Sequence, residues 1–145
     1  MKLFLDANVL FTAAHRASGK SAFIIEKARE GLWEAVTCDL AVEEARRNLE
    51  AKYPSALASL DELLKSVRLV PTIAGSQCPI DLPKKDIPIF LSAWRSGATH
   101  LLTGDLRDFG RFMNQPKKTG DVIIQTVAAF LEKFVRNRPD PSGKP

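Results

Sequence analysis

The chain has 145 residues, 45% of them hydrophobic and 26% charged, the size and balance of one globular domain that can bury a sizeable core. Its 21 Lys and Arg against 17 Asp and Glu give a net charge of +4; half of that excess falls in residues 136–145, so the charge permits a polyanionic partner without identifying one. No segment approaches the ~20 apolar residues of a membrane span, and the first apolar run stops at Asp6, too short for a secretory signal, so the expectation is a cytoplasmic chain with no membrane partner.

Leu3-Phe4-Leu5 reads as a short strand buried on both faces that ends in the polar group Asp6-Ala7-Asn8. From Ser21 the spacing of Phe23, Ile24, Ala28 and Leu32 is helical, with Gly31 as its C-cap. Trp33 to Thr37 is a second strand. Asp39 is an N-cap for a helix through about Lys52, and Pro54 restarts the chain as another helix with Leu57, Leu60, Leu63 and Leu64 on one stripe. A third strand over Val67 to Val70 leads into a loop from Pro71 to about Lys85, marked by Gly75, Pro79 and Pro83. Asp86 caps the next helix, in which Pro88 stands early enough for its missing N–H to cost little. His100 to Thr103 and Val122 to Ile124 are the fourth and fifth strands, and a last helix runs from about Thr126 to Val135. Residues 136–145, with three prolines and one glycine, are expected to form a disordered basic tail. Strands alternating with helices call for an α/β domain over residues 1–135: three α/β/α layers around a mainly parallel sheet of four to five strands, with ligands beyond the C-terminal strand ends.

Chemistry falls to the carboxylates. His15 and His100 are the only histidines; neither clusters with Cys38 or Cys78, so a zinc site lacks ligands, and the two cysteines read as thiols. Asp6 leaves the first strand, Glu44 lies early in the helix after the second, Asp86 opens the helix before the fourth, and Asp105 leaves the fourth, with Asp108 one turn further on. In a parallel sheet these converge on one edge. Each alone is more simply a cap or a solvated charge. Gathered in one cleft they would repel unless divalent cations bound there, and oxygen-only ligation favours Mg²⁺ or Mn²⁺.

Four segments carry a family resemblance: Phe4-Leu5-Asp6-Ala7-Asn8-Val9-Leu10, Glu43-Glu44-Ala45-Arg46-Arg47-Asn48-Leu49, Asp86-Ile87-Pro88-Ile89-Phe90-Leu91-Ser92-Ala93 and Leu101-Leu102-Thr103-Gly104-Asp105. In order and spacing, from Met1 to about Val135, they resemble the successive motifs of PIN-domain ribonucleases, VapC-type toxins among them. The resemblance implies a PIN-like domain in which Asp6, Glu44, Asp86 and Asp105 are catalytic and bind one or two Mg²⁺ or Mn²⁺ ions. Asp108 would be a further metal ligand, and Asn8 and Thr103 would orient the acids. Glu44 is preferred to Glu43 because the family pattern places its glutamate five residues before the leucine, here Leu49. The chain departs from many relatives at Cys38, where they carry a serine. The resemblance further implies a single-stranded or structured RNA substrate, cleavage by metal-activated water to 5′-phosphate and 3′-hydroxyl ends, an antitoxin protein partner and a homodimer.

An RNA path past these acids must be basic. Arg107 and Arg111 beside Asp105, with Lys20, Lys84, Lys85, Lys117 and Lys118 in flanking segments, are the RNA-binding candidates, each of which also reads as a solvated charge. Ser18-Gly19-Lys20-Ser21 resembles the end of a phosphate-binding loop but has Ala14 where that pattern needs glycine. Most aromatic residues lie in apolar stripes, with Phe109 and Phe112 left open as base-stacking platforms. Leu60, Leu63 and Leu64 fit either a partner subunit or burial under the sheet. Two other classes compete with the nuclease. One is a haloacid-dehalogenase-like phosphatase with Asp6 as nucleophile, which would want an aspartate where Asn8 stands. The other is a non-catalytic RNA- or protein-binding module, which has no need of the whole acid set.

Overall fold

Lys2–Leu5 forms strand β1, and Leu3, Phe4 and Leu5 are all fully buried, as a strand covered on both faces requires. The computed structural model describes residues 1–75 and 77–137. Helices α1 (Ala7–His15) and α2 (Lys20–Arg29) lead to β2 (Glu34–Cys38), then α3 (Asp39–Lys52), a 3-10 turn at Pro54–Ala56, α4 (Leu57–Leu64) and β3 (Arg68–Val70). Helix α5 (Ile87–Arg95) precedes β4 (His100–Leu102); α6 (Leu106–Phe109) and a 3-10 turn at Gly110–Phe112 precede β5 (Ile123–Gln125), and α7 (Val127–Asn137) follows. None of these helices is long and apolar enough to cross a membrane.

All strand pairs are parallel, in the order β3-β2-β1-β4-β5. The chain builds outward from β1 through β2 to β3, then returns to the other side of β1 for β4 and β5. Right-handed crossovers on these two excursions put α1 to α4 on one face and α5 and α6 on the other. Helix α1 packs on α2, α3 and α4, α7 packs on α2, and α5 packs on β2 and β4. The reversal of strand order falls between β1 and β4, so a crevice opens outside their C-terminal ends, the usual ligand position in a sheet of this kind.

The five strands and their parallel pairing match the expectation from periodicity, with ends moved by one or two residues. The expected cap Asp39 is instead the first residue of α3, and Cys38 stands at the N-cap without a side-chain bond. There a thiol replaces the stronger acceptor that a hydroxyl would supply. Helix α1 was not anticipated. Its buried positions Leu10, Ala13 and Ala14 have helical spacing, but the polar residues Asp6 and Asn8 read as a strand exit. Arg136 and Asn137, placed by composition in the tail, continue α7; residues 138–145 lie outside the described residues. Leu60 is fully buried, and Leu63 and Leu64 pack against the core, which accounts for the leucine stripe.

The 71–85 segment contains no helix or strand among its described residues, yet it is anchored. Ile80 and Leu82 are buried, and the Ile73 N–H donates to Ser92 Oγ at 2.9 Å, tying the segment to α5 and delivering Lys85 and Asp86 to the crevice. On the far side, Gly120 has φ +60°, and a Cβ there would stand 2.6 Å from Trp94 Nε1. Only glycine permits that approach of the 113–122 loop to the end of α5.

Candidate active site

Asp6 is the hinge of the site. It follows β1 and caps α1, with Oδ1 accepting from the Ala7 N–H at 2.7 Å. Oδ2 accepts from Thr103 Oγ1 at 2.7 Å and from Asn8 Nδ2 at 3.3 Å. Thr103 is fully buried at the exit of β4, and its hydroxyl also accepts from Asn8 Nδ2 at 3.2 Å and from the Asp105 N–H at 3.1 Å. Asn8 Oδ1 in turn accepts from the Gly104 N–H at 2.6 Å. Asn8 and Thr103 therefore lock the ends of β1 and β4 together and hold Asp6 in one orientation. Burial raises the Asp6 carboxyl above its ordinary value; the bonds from Thr103 and Ala7 oppose the rise, and the nearby charges of Glu44 and Asp105 add to it.

Asp105 and Asp86 approach from the other side. Asp105 caps α6, with Oδ1 accepting from the Asp108 N–H at 3.1 Å. Asp86 occupies the N-cap position of α5, but its carboxylate makes no capping bond and the residue is buried. A residue that reads in sequence as a plain cap thus directs its charge into the cluster. Oxygens of Asp86, Asp105 and Asp108 lie within 4.8 Å of one another. The Lys85 ammonium stands among them, 2.8 Å from Asp108, 3.1 Å from Asp86 and 3.7 Å from Asp105.

The electrostatics follow from this crowding. Burial, with the neighbouring Asp108 carboxylate adding, pushes Asp86 up to about 6 against the pull of Lys85. Asp108, held first by Lys85, is lowered, and Lys85 is raised chiefly by Asp108. Like charges at this spacing disfavour joint ionisation, and a cation among them relieves it. Lys85 supplies one positive charge to three carboxylates. Hard oxygen donors closing on a cation-sized position suit Mg²⁺ or Mn²⁺, so the residues present fit the metal that the sequence motifs imply.

A cleft of about 260 Å³ is lined by Asp6, Asn8, Glu44, Lys85, Asp86 and Asp105, together with Ala7, Phe11, Asn48 and Lys52. The four acids picked from sequence thus share one cleft, and Asp108 joins them through Lys85. Glu44 enters from α3, while Glu43 is not among the lining residues. Asn48 and Lys52 were not singled out in sequence, although they follow Glu44 at four and eight residues and so repeat on its helix face. Phe11 was missed together with its helix.

The basic candidates divide. Lys85 is bound within the carboxylates and is not free for a phosphate. Arg111 donates to the Asp81 carbonyl at 2.7 Å and lies over the Phe112 ring. Arg107 and Lys84 are exposed and do not line the cleft; nor does Lys20, which opens α2. Lys117 and Lys118 belong to the turn that runs to Gly120, and Gly120 packs against Trp94 at the end of α5 away from Asp86. Phe109 is fully buried in the core, which removes it as a stacking platform, and Phe112 is half-buried beside Arg111.

No protein-family model and no curated protein matches the sequence. Solved structures do match. One is VapBC2 from Rickettsia felis bound to a DNA fragment from their promoter, at 13% identity and a TM-score of 0.61, over 87% of this chain and 98% of that one. Another is VapBC-1 from nontypeable Haemophilus influenzae, at 14% identity and a TM-score of 0.54, over 88% of this chain and 99% of that one. Similarity at these identities resides in the backbone: the chain has a PIN-like α/β fold, shared with these VapBC structures along nearly its whole length.

Proposed function

We propose that this chain is a metal-dependent ribonuclease of the VapC type, the toxin partner of an antitoxin protein. The observation that carries the reading is the cleft at the β1/β4 switch point, where Asp6, Glu44, Asp86 and Asp105 converge. Asp6, Glu44, Asp86, Asp105 and Asp108 would hold one or two Mg²⁺ or Mn²⁺ ions, with Lys85 giving up its place among the aspartates. A metal bound there supplies an activated water and neutralises charge on a phosphodiester. The residues of the chain do the rest. Thr103 and Asn8 fix the direction of Asp6, the carboxylate of Asp86 is left unspent by its helix, and the α5 and α6 backbones keep Asp86, Asp105 and Asp108 in register. Lys52, which lines the same cleft from the end of α3, is the phosphate contact.

The phosphatase alternative is disfavoured because it wants a second aspartate two residues after Asp6, where Asn8 stands with its amide spent on Asp6, Thr103 and Gly104. A VapBC-like assembly, with an antitoxin and a homodimer of this chain, belongs to the same proposal. Purified protein is expected to cut single-stranded RNA in Mg²⁺ or Mn²⁺ and to lose that activity in EDTA and on Asp6→Asn. Equal cleavage by the variant would assign the activity to a contaminant.

A further inference from the structure

Where α1 and α3 pack on one another, their far ends carry an aromatic ledge that continues the wall of the acidic cleft. Phe11 and Lys52 line the cleft itself. The Phe11 ring lies 4.8 Å from His15 and 5.8 Å from Tyr53, and His15 and Tyr53 are stacked 4.4 Å apart with ring planes only 9° from parallel. The Lys52 ammonium stands 5.8 Å from the Phe11 ring. Tyr53 closes α3, its N–H bonded to the Leu49 carbonyl at 2.7 Å, and Pro54 restricts the backbone there, so its ring is held in place. It remains 46% exposed.

Phe11 roots the cluster against the core, His15 is half-buried and Tyr53 reaches solvent, so the rings are anchored at one side and open at the other. From Glu44 to Lys52 along one face of α3 is about 12 Å, so the ledge stands beside the acids without competing for the same atoms. Flat π-faces with an adjoining ammonium bind bases of any sequence by stacking while the cation meets the backbone. Lys52 is also the cleft-lining cation left once Lys85 is engaged by the aspartates.

We propose that Phe11, His15 and Tyr53, with Lys52, form a nucleobase-stacking subsite that seats single-stranded RNA next to the cleavage centre. The inference rests on the nuclease reading and names where its substrate is held.

The test uses the full chain carrying Asp6→Asn to block cleavage, and compares binding of a labelled single-stranded RNA with that of an abasic strand of equal length. Adding Tyr53→Ala is expected to weaken the base-containing strand by roughly tenfold and to leave the abasic strand unchanged, with Tyr53→Phe restoring binding. Lys52→Ala is expected to weaken both strands and to flatten the salt dependence. Equal losses on both strands, or none, with the variant's melting temperature preserved, overturn the stacking subsite. So does intact RNA binding with loss of a copurifying protein partner, which makes the ledge a protein-docking surface. If wild-type protein neither binds nor cuts RNA, the nuclease reading fails first and the subsite with it.

Discussion

Strand β4 begins at His100 and exits through Thr103 to Asp105, and the two ends of this short strand meet opposite treatments of charge. At the exit end, carboxylates are crowded and partly desolvated, and the structure answers with a cation: Lys85 among Asp86, Asp105 and Asp108. At the start, His100 lies edge-on to Phe130 at 5.0 Å in an apolar groove of about 480 Å³ whose lining includes Met1, Leu32, Phe130 and Phe134. Among the described residues no carboxylate lines that groove. Burial, helped by Lys133, pushes His100 down to about 4, whereas burial pushes Asp86 up to about 6. Desolvation drives both groups toward neutrality. The difference is that the acids can be relieved by recruiting a cation, while the histidine is relieved only by losing its proton. One end gathers negative charge and takes up a cation; the other, with Lys133 and the N-terminal amine near His100, disfavours a further positive charge.

The largest test of this contrast acts on the acid end alone. Asp6→Asn is expected to reduce RNA cleavage to background while leaving the fold intact or more stable, since it removes a buried charge; circular dichroism and thermal melts check the second half. Thr103→Val, which frees Asp6 to turn, is expected to lower cleavage by roughly 10- to 100-fold, the usual effect of losing a group that orients a metal ligand. The apolar end should respond in stability instead. Phe130→Ala empties a buried position against Trp33, His100 and Phe134 and is expected to cost about 3–5 kcal/mol, measured by denaturant unfolding, with unchanged Mn²⁺ affinity. Lys85→Ala removes the resident ammonium, so Mn²⁺ titrated calorimetrically should bind roughly tenfold more tightly; weaker binding would show that Lys85 organises the acids instead of standing in for the ion.

The smallest effect is a pH dependence of the metal-free protein in EDTA. Asp86 titrates near 6 when folded against an ordinary 3.8, so the folded state takes up its proton first and stability rises as pH falls through 6. His100 titrates near 4 when folded against 6.5, so the unfolded chain takes up its proton first and stability falls from about 6.5 downward. Between about 6 and 4 the two oppose each other. Asp86→Asn should steepen the loss of melting temperature on acidification, and His100→Leu should reduce it. Identical slopes in the two variants would remove the electrostatic contrast between the ends.

Legibility in the sequence followed the range of the interactions. Strand exits at Asp6 and Asp105 could be read because an apolar run ending in a polar residue is a local signal, and Asp86 because a cap before an amphipathic helix is one. Their convergence required only the parallel order that alternating strands and helices impose. Lys85 reads in sequence as a phosphate contact or a solvated charge; its place among the acids is hidden because its partner Asp108 lies 23 residues away, and nothing in the 71–85 loop announces how it is pinned to Ser92. Tyr53 and His15 gave no signal for the same reason: their stacking comes from the packing of α1 on α3, and the start of α1 reads in sequence as a strand exit. Lys117 and Lys118 looked close to Asp105 in chain order, yet the loop that carries them folds to the opposite end of α5.

Residue order by itself determined the α/β class, the parallel strands and the edge on which the acids gather, since each depends on periodicity and short-range caps; the choice among those acids, Glu44 over Glu43 above all, came from the family resemblance. Tertiary structure alone decided which cation stands among the aspartates, which basic residues reach the cleft, and that aromatic rings extend its wall. The physical reason is separation along the chain. Asp6 and Thr103 are bonded across 97 residues, and contacts of that range are set by strand crossovers and helix packing that no local pattern encodes.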